Sequence, residues 1–417
     1  MSISEIRQCV FLVLISVMVV TSIVSGADSN SYWPQFHGPN RDNRSTETGL
    51  LKEWPEDGPA LLWTTSGLGH GYSTVSIARG MIYTAGSIEN DTVITAMNMD
   101  GEIQWQVTNG PGWTGDRPGT RSTPTIDGNR LYHQSPIGNL VCLDARTGKM
   151  IWSFNTLEKF KSKTNTWALA ESLLVDGQQL ICCPGGPQTS MVALDKNTGS
   201  VIWTAPSTKD LAGYSSPSLV EYEGLRIIIA LMAKSIIGVN ADTGELYWHL
   251  KHESYADENV MTPIFHDGHV FISTLKAGSV KWKLNVESDK ASLKELWRTQ
   301  ELDCHHGGAV LVDGNLHGNS TFQNSKLWVC LDWQTGDKKY MDKGVGKGSL
   351  TYADGMLYML SENGVMGLVR PGAVGYELVS SFDIPKGGMG NSWAHPVICG
   401  GRLYIRHGDF LYVYKIC

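Results

Sequence analysis

The sequence lacks the features that mark several common functional classes. Its 34 basic side chains do not outnumber its 41 acidic ones, and the formal net charge of −7 argues against the concentrated basic face that nucleic-acid binding requires. It contains no C-x-x-C-H motif for attached haem, and no G-x-S-x-G, H-E-x-x-H or P-loop motif. We therefore expect no nucleic-acid partner, and no catalytic signature stands out.

Long apolar runs are also absent, except for one short segment near the N-terminus. VFLVLISVMVV at residues 10–20 follows Arg7 and precedes small residues at 24–26. This order is typical of a secretory signal peptide, and the run is shorter than the ~20 residues that a membrane span needs. We expect a signal peptide at 1–26, no transmembrane segment in the mature protein, and a periplasmic or secreted location. An uncleaved membrane anchor is the alternative.

Cysteine is scarce, and its number does not suit a disulfide framework. Removing Cys9 with the signal peptide leaves an odd number of cysteines spread over a long chain. Cys142 and Cys330 occupy a repeat position that Ala193 and Gly238 fill in sister copies. The sequence therefore predicts that these two cysteines are small buried residues.

A repeated segment organises the chain. It reads VCLDARTGKMIW at 141–152, VALDKNTGSVIW at 192–203 and IGVNADTGELYW at 237–248, with altered copies ending at Trp105 and Tyr340. The Asp or Asn that ends the first strand accepts hydrogen bonds from the turn, and Gly supplies the positive φ that closes the hairpin. The closing aromatic is large enough to fill the gap against a neighbouring sheet. Strong copies close at intervals of 45 to 51 residues, which is typical of four-stranded propeller blades.

Counting the closing aromatics predicts an all-β, eight-bladed β-propeller of four-stranded antiparallel blades. The C-terminal strands at 400–417 stop without a closing aromatic, so we expect the N-terminal strand with Trp63 to complete the last blade and close the ring. A seven-bladed ring is the alternative, because the later repeats are irregular. The eight closers are Trp63, Trp105, Trp152, Trp203, Trp248, Trp297, Tyr340 and, in a degraded copy, Phe382.

Residues 27–60 precede the first closer and are rich in Pro, Gly and turn-forming residues. We predict an ordered strap here rather than a disordered tail, because Trp33, Phe36 and Trp54 need apolar surroundings. The predicted organisation is then a signal peptide, this strap, and a single propeller domain at 61–417.

A second recurring element opens the blades. It is a polar or small segment followed by an apolar strand and an Asp-Gly-like turn, as in RSTPTIDG from Arg121, TWALAESLLVDG from Thr166 and SWAHPVICGG from Ser392. Because the first strand of each propeller blade lines the central channel, these segments should converge on the axis. We expect functional residues at the axis to come from them.

The L-D-x-x-T-G-x-x-x-W repeat, with a preceding D-G-x-x-Y strand, resembles the pyrroloquinoline quinone (PQQ) enzyme repeat over essentially the whole mature chain. WPQFHGPNRD, YSSP and SWAHP are similar to segments of exported bacterial PQQ-repeat propellers of about this size. The same repeat builds the quinoprotein alcohol dehydrogenases and the outer-membrane assembly scaffold lipoprotein. The resemblance thus implies the fold strongly and the function weakly.

The dehydrogenase branch of the resemblance implies PQQ and Ca²⁺ bound at the axis, with a tryptophan platform under the quinone. By positional analogy, Arg121, Trp167 and Trp393 would then contact the cofactor. Trp167 and Trp393 do not stand at the closing position of a repeat, which favours side chains that face the channel. Tryptophan in repeat proteins nevertheless serves more often in packing.

In the same branch, Glu171 and Asn259 would supply oxygen ligands for Ca²⁺, and Asp303 would be the general base. These residues lie at different distances before their Asp-Gly turns, so they need not share a depth in the channel. The alternative is that all three are solvated polar residues at its mouth.

The dehydrogenases also carry two adjacent cysteines in a loop over the quinone. Cys182 and Cys183 instead fall in a predicted strand, which indicates a structural role because their side chains point to opposite faces.

His70, His305, His306 and His395 would approach one another at the axis. A zinc-type site needs at least three ligands with fixed tautomers. Two adjacent histidines on one strand cannot both point inward, so the sequence disfavours a metal site here.

We predict an exported, monomeric propeller that acts as a ligand- or protein-binding scaffold, with a protein or glycan partner at the channel mouth. The alternative is a PQQ- and calcium-dependent alcohol or sugar dehydrogenase. A third class, a glycan-binding or polymer-degrading propeller, is compatible with aromatic residues in the channel.

Overall fold

The computed structural model describes residues 31–417 except residue 373. The predicted signal peptide and the first residues of the predicted strap lie outside this range. Within it, the chain forms eight four-stranded antiparallel sheets, one of which gains a short fifth strand. The prediction of an eight-bladed all-β propeller is confirmed, and the seven-bladed alternative is wrong.

Two strands precede the first complete blade, and three single-turn helices interrupt the connections. None of the helices in the described range is long and apolar enough for a membrane crossing. The two strands are β1 (Arg44–Ser45) and β2 (Leu61–Thr65), the α-helix is α1 (Thr156–Lys159), and the 3₁₀ helices are Tyr255–Asp257 and Phe322–Asn324.

The blades are numbered 1 to 8 in chain order, and the first strand of each is the innermost. Blades 1 and 2 contain β3 (Ser76–Ala78), β4 (Met81–Ile88), β5 (Asp91–Asn98), β6 (Ile103–Pro111) and β7 (Thr125–Asp127), β8 (Arg130–Gln134), β9 (Asn139–Asp144), β10 (Met150–Asn155). Blades 3 and 4 contain β11 (Leu174–Asp176), β12 (Gln179–Cys182), β13 (Val192–Asp195), β14 (Val201–Thr204) and β15 (Ser218–Tyr222), β16 (Leu225–Leu231), β17 (Ser235–Asn240), β18 (Leu246–Lys251).

The second half of the ring repeats this order. Blades 5 and 6 contain β19 (Ile264–His266), β20 (His269–Thr274), β21 (Gly278–Glu287), β22 (Lys290–Thr299) and β23 (Ala309–Val312), β24 (Asn315–Ser320), β25 (Leu327–Asp332), β26 (Lys338–Asp342). Blades 7 and 8 contain β27 (Gly348–Ala353), β28 (Met356–Ser361), β29 (Val365–Pro371), β30 (Tyr376–Asp383) and β31 (Val397–Cys399), β32 (Arg402–His407), β33 (Phe410–Lys415).

The N-terminal strand closes the ring, as predicted. β2 pairs antiparallel with β33, with Trp63 opposite Val413, and becomes the outermost strand of blade 8. Chain ends that would otherwise leave unpaired sheet edges are therefore joined in one blade.

The closing aromatics hold neighbouring blades together. All eight predicted closers lie in the outermost strand of a blade. The Trp152 ring packs on Gly199 in a turn of the next blade, and its Nε1 donates a hydrogen bond to the Lys196 carbonyl oxygen at 3.2 Å. Trp203 makes the same pair of contacts with the turn that contains Gly244. The turn glycine thus provides a positive φ and also leaves room for the indole of the preceding blade.

The first part of the strap, residues 33–45, crosses the ring. Trp33 bridges to Ile77 of blade 1, and β1 pairs parallel with β27 of blade 7. Between these points, Arg41 donates hydrogen bonds to backbone carbonyl oxygens of the segments leading into blades 3 and 4, at 3.1 and 3.0 Å. Asn43 donates to the Leu350 carbonyl oxygen in blade 7. Side chains two residues apart therefore reach blades on different sides of the axis.

Gly199→Ala tests the packing between blades. An added Cβ at Gly199 would lie 2.9 Å from the Trp152 ring, whereas nothing lies within 4 Å at Gly80, and both glycines have a φ of +72°. Gly80→Ala therefore measures the backbone cost alone, about 1 kcal/mol. We expect Gly199→Ala to lower the free energy of unfolding by about 1–3 kcal/mol more, because the indole has to shift. Urea unfolding measures the difference, and equal losses in both variants would contradict the packing role.

Candidate functional site

The segments that lead into the innermost strands meet at one end of the channel. They line a cavity of about 440 Å³, called the funnel below. All eight blades contribute to it, so the predicted convergence of these segments on the axis is what the structure shows. One contributing residue from each blade, in order, is Tyr72, Arg121, Trp167, Tyr214, Glu258, His305, Lys347 and Trp393.

The strap forms the floor of the funnel. Phe36 lines the cavity and stacks on His37, with ring centroids 3.8 Å apart. His37 Nε2 lies 3.1 Å from His395 Nδ1, so the strap is fixed to blade 8. Burial lowers the pKa of His395 to about 4 and the pKa of His37 well below its usual range, which keeps both rings neutral at pH 7. With Arg41 bridging blades 3 and 4 beneath it, the funnel is a pocket with a floor.

One wall of the funnel presents two guanidinium groups over aromatic rings. Arg121 lies 5.5 Å from the centroid of the Tyr72 ring, and Arg117 lies 5.7 Å from that of Trp393. The Arg121 guanidinium donates hydrogen bonds to the carbonyl oxygens of Gly119 and Arg117, at 3.0 and 2.7 Å, which fixes its position. Neither arginine forms a salt bridge with any carboxylate between residues 31 and 417 whose position is described. Two guanidinium groups therefore line the cavity without a salt bridge, and the carboxylate of Asp116 lines it beside them.

A second wall carries a group of ionisable side chains, the His–Glu cluster, formed by His305, His306, Lys347, Glu258 and Glu362. The Lys347 ammonium lies 2.9 Å from both His305 Nδ1 and Glu362 Oε1. His306 Nδ1 lies 3.3 Å from His305 Nδ1 and 3.6 Å from Glu362 Oε1, and His305 Nε2 lies 3.4 Å from Glu258 Oε2. Burial, followed by the charges of His305 and Lys347, lowers the pKa of His306 well below its usual range. The His306 ring is therefore neutral at pH 7.

The backbone around Trp167 fixes its side chain at the funnel. The Trp167 N–H donates a hydrogen bond to the Tyr214 hydroxyl at 2.7 Å. The next residue, Ala168, has a left-handed φ of +70°, a conformation that residues with a Cβ adopt only when surrounding contacts enforce it. Within the described part of the chain, the buried Trp167 Nε1 has no hydrogen-bond partner. Because this nitrogen is enclosed by the protein, Trp167 contributes to the funnel through its ring rather than through its N–H.

Three of the six residues singled out from the sequence come together in the structure. Arg121, Trp167 and Trp393 all line the funnel. Trp393 is held by a hydrogen bond from its Nε1 to Glu362 Oε1 at 2.7 Å. Their roles in binding a cofactor stay predictions.

Glu171, Asn259 and Asp303 do not meet in the funnel. Glu171 and Asn259 line neither the funnel nor the neighbouring cavity that Asp303 lines. Both Glu171 oxygens accept a hydrogen bond from the Cys183 N–H, at 3.0 and 3.1 Å, and the Asn259 amide donates to three backbone carbonyl oxygens. Asp303 accepts hydrogen bonds from the N–H and the hydroxyl of Thr321. These side chains brace the surrounding loops, and Asp303 as a general base stays a prediction.

The histidine pair does not follow the strand geometry assumed from the sequence. His305 and His306 lie in a bend that precedes β23, and both side chains line the funnel. The argument that adjacent histidines cannot both point inward applies to an extended strand, so it fails here. His395 lies between them and the strap, since its Nε2 is 2.9 Å from the His306 carbonyl oxygen.

Cys182 and Cys183 pack in two different hydrophobic cores. Cys182 lies in the cluster with Leu180 and Val192, and Cys183 lies in the cluster with Ile181 and Met191. Both thiols are buried, and burial raises the pKa of each well above its usual range. Their placement on opposite faces fits packing residues rather than a reactive pair.

Several residues of the funnel were not predicted from the sequence. Tyr72 and Tyr214 stand in GYST and GYSS, two copies of one segment, so a signal for them was present. Lys347 and Glu362 have no shared motif. They meet because Lys347 precedes β27 and Glu362 follows β28, and the hairpin brings its two ends together through a hydrogen bond from the Glu362 N–H to the Lys347 carbonyl oxygen at 2.7 Å.

Comparison with known families matches this chain to the family model described as outer membrane protein assembly factor BamB, over residues 45–155 and 89–340. The quinoprotein alcohol dehydrogenase PedH of Pseudomonas putida is 24% identical over 223 residues, which cover 50% of this chain and 34% of that enzyme. The outer membrane protein assembly factor BamB of Bordetella pertussis is 23% identical over 251 residues, which cover 57% of this chain and 59% of that protein. The chain thus spans less than two thirds of the length of either curated relative.

Among solved structures, BamB from Moraxella catarrhalis is similar with a TM-score of 0.59 and 15% sequence identity, covering 86% of this chain and 100% of that one. At this identity, the similarity shows the propeller fold and does not transfer a function.

The sequence resemblance to quinoprotein dehydrogenases makes PQQ and Ca²⁺ the cofactors to test against these residues. The funnel offers aromatic faces and two unpaired guanidinium groups, which suit a flat anionic ring. The predicted calcium donors, Glu171 and Asn259, line neither the funnel nor the neighbouring cavity. The Glu171 oxygens accept a hydrogen bond from the Cys183 N–H, whereas the buried Asn259 Oδ1 has no hydrogen-bond partner among the described residues. The funnel residues therefore suit the ring, and calcium binding by Glu171 and Asn259 stays a prediction.

Glu171→Gln tests the buried carboxyl group under the funnel. Burial raises the pKa of Glu171 from 4.5 to about 7, so the folded chain holds a proton that the unfolded chain releases in this window. The stability of the folded state should then fall as the pH rises from 4.5 to 7, by up to about 3 kcal/mol. We expect Glu171→Gln to lose this dependence.

Urea unfolding at pH 5, 6, 7 and 8 provides the measurement. The exposed Glu287→Gln serves as a control that keeps the dependence of the unchanged protein. An unaltered dependence in Glu171→Gln would mean that this carboxyl group is ionised in the folded state throughout.

Proposed function

Because the chain belongs to the family described as outer membrane protein assembly factor BamB, we propose that it is a binding propeller that holds a ligand in the funnel. One observation carries the proposal. Arg117 and Arg121 face a cavity of about 440 Å³ over aromatic rings, and neither forms a salt bridge with a described residue. Unpaired guanidinium groups at a concave site favour an anionic ligand group.

The ligand class that these residues favour is an acidic saccharide. The aromatic side chains of Tyr72, Trp167 and Trp393 line the cavity and suit the apolar faces of sugar rings. The guanidinium groups then bind the carboxylate or sulfate of the sugar. A terminal unit or short segment of an acidic glycan fits a pocket with a floor better than a continuous polymer passing through the ring.

We infer that the mature chain works outside the cytoplasm, in the periplasm or as a secreted protein, and that it is a monomer. The signal-like sequence at 1–26 supports export. The family description, which names the outer membrane, supports the same location.

A second candidate function is a protein scaffold that binds its partner at the rim. The BamB relative supports it, and so do apolar side chains that remain exposed on the outermost strands of four consecutive blades. Such a surface suits association with another protein. These side chains are Leu61, Leu62, Ile103, Met150, Ile151, Val201 and Ile202.

Calorimetry with a uronic-acid trisaccharide tests the funnel proposal. We expect binding of the acidic trisaccharide that is about tenfold tighter than binding of the neutral trisaccharide of the same linkage, because one charge-assisted hydrogen-bond pair is worth about 1.5–3 kcal/mol. Arg121→Gln should remove this preference. Arg44→Gln is the matched control, since Arg44 also lies over an aromatic ring, Tyr352 at 5.2 Å, but outside the funnel.

Equal affinity for the acidic and neutral sugars, or equal loss in both arginine variants, would contradict this proposal. A parallel titration with PQQ and Ca²⁺, joined to a dye-linked alcohol-oxidation assay, separates the dehydrogenase alternative. Tight PQQ binding with dye reduction, both lost in Arg121→Gln, would replace the binding function with an alcohol or sugar dehydrogenase.

A further inference from the structure

The His–Glu cluster has the spacing of a metal site. The ligand atoms of His305, His306 and Glu362 all lie within 4.8 Å of one another. The two Nδ1 atoms are 3.3 Å apart, and His306 Nδ1 is 3.6 Å from Glu362 Oε1. A tetrahedral zinc ion with bonds of about 2.0–2.1 Å keeps its ligand atoms ~3.3–3.4 Å apart. These three side chains would therefore have to move little to coordinate a zinc ion.

The surroundings of His305 orient it as a metal ligand. Its Nε2 lies 3.4 Å from Glu258 Oε2, so the carboxylate favours the tautomer with the proton on Nε2 and leaves the Nδ1 lone pair toward the cluster. The 3.4 Å contact is an ion-pair contact and not a hydrogen bond, so the buried Glu258 Oε2, like the buried His306 Nε2, has no hydrogen-bond partner in the described range. Carboxylate–histidine pairs of this kind commonly support zinc-binding imidazoles.

The Lys347 ammonium group already lies beside two of the candidate ligand atoms. It lies 2.9 Å from His305 Nδ1 and 2.9 Å from Glu362 Oε1, two of the three candidate ligand atoms. The side chain is long and flexible, so it can withdraw toward the funnel when a second cation arrives. The groups around it therefore form a site for a cation, for which a metal ion and this ammonium compete.

We propose that His305, His306 and Glu362 bind a divalent transition metal of the zinc class at the wall of the funnel, in competition with Lys347. All three residues line the cavity, so the fourth ligand would be water or an oxygen of a bound ligand. Donor type supports this choice of metal, since two imidazoles and one carboxylate suit zinc better than calcium, which prefers oxygen ligands. The site goes beyond the saccharide-binding proposal, because neither Arg121 nor Tyr72 takes part in it.

Zinc calorimetry on the chelator-treated protein tests the proposal, with cobalt absorption as a second readout. We expect one zinc per chain and a cobalt spectrum of a tetrahedral site. His305→Ala and Glu362→Gln should each weaken binding at least about tenfold. Lys347→Met should strengthen it about tenfold, because the competing ammonium is removed while a side chain of similar length remains. A gain in affinity cannot result from misfolding.

His249→Ala, at an exposed histidine on blade 4, is the matched control and should leave zinc affinity unchanged. Absence of stoichiometric zinc binding in both the unchanged protein and Lys347→Met would overturn the proposal. An equal loss in His249→Ala and His305→Ala would overturn it too, since the metal would then bind unspecifically to surface histidines. Saccharide titrations of the metal-free protein report on the funnel proposal separately, so the two proposals can fail independently.

Discussion

The packing of each closing aromatic on the next blade is the interaction on which the ring depends. A four-stranded sheet cannot bury an indole by itself, so the rings of Trp152 and Trp203 pack on a turn of the following blade. Glycine in that turn is needed twice, for its positive φ and for the absence of a Cβ under the ring. Even the degraded closer Phe382 follows this rule, since it packs on Gly58 of the strap.

The strap converts a ring into a binding site. A propeller of eight blades has an open axis, but Arg41 and Asn43 tie together blades from different sides of it. Buried cationic and amide groups are stable there only because backbone carbonyl oxygens of the inner strands accept their hydrogen bonds. Because the strap lies across the axis, the segments that lead into the innermost strands of all eight blades surround a pocket with a floor.

The funnel carries two guanidinium groups on one wall and the His–Glu cluster on the other, and the Asp116 carboxylate also lines it. Arg117 and Arg121 face the cavity without carboxylate partners among the described residues, whereas Lys347 is paired with Glu362. Trp393 contacts both walls, through Arg117 on one side and Glu362 on the other. One wall is thereby suited to an anionic ligand group and the other to a cation, and a ligand that bridges them would contact the Trp393 ring between them.

The sequence by itself determined the propeller, its eight blades and the closure through Trp63, because these features follow from a local repeat whose turn and aromatic residues have fixed roles. It also identified Arg121, Trp167 and Trp393 as residues of the channel, since each stands at the start of a recurring segment that leads into an inner strand. Tertiary structure alone decided which polar residues meet. Lys347 and Glu362 are joined by a hairpin. His305 and His306 lie in a bend, so their side chains do not have to point to opposite faces as they would in a strand. Such encounters depend on loop paths between blades, and loop paths carry no periodic signal.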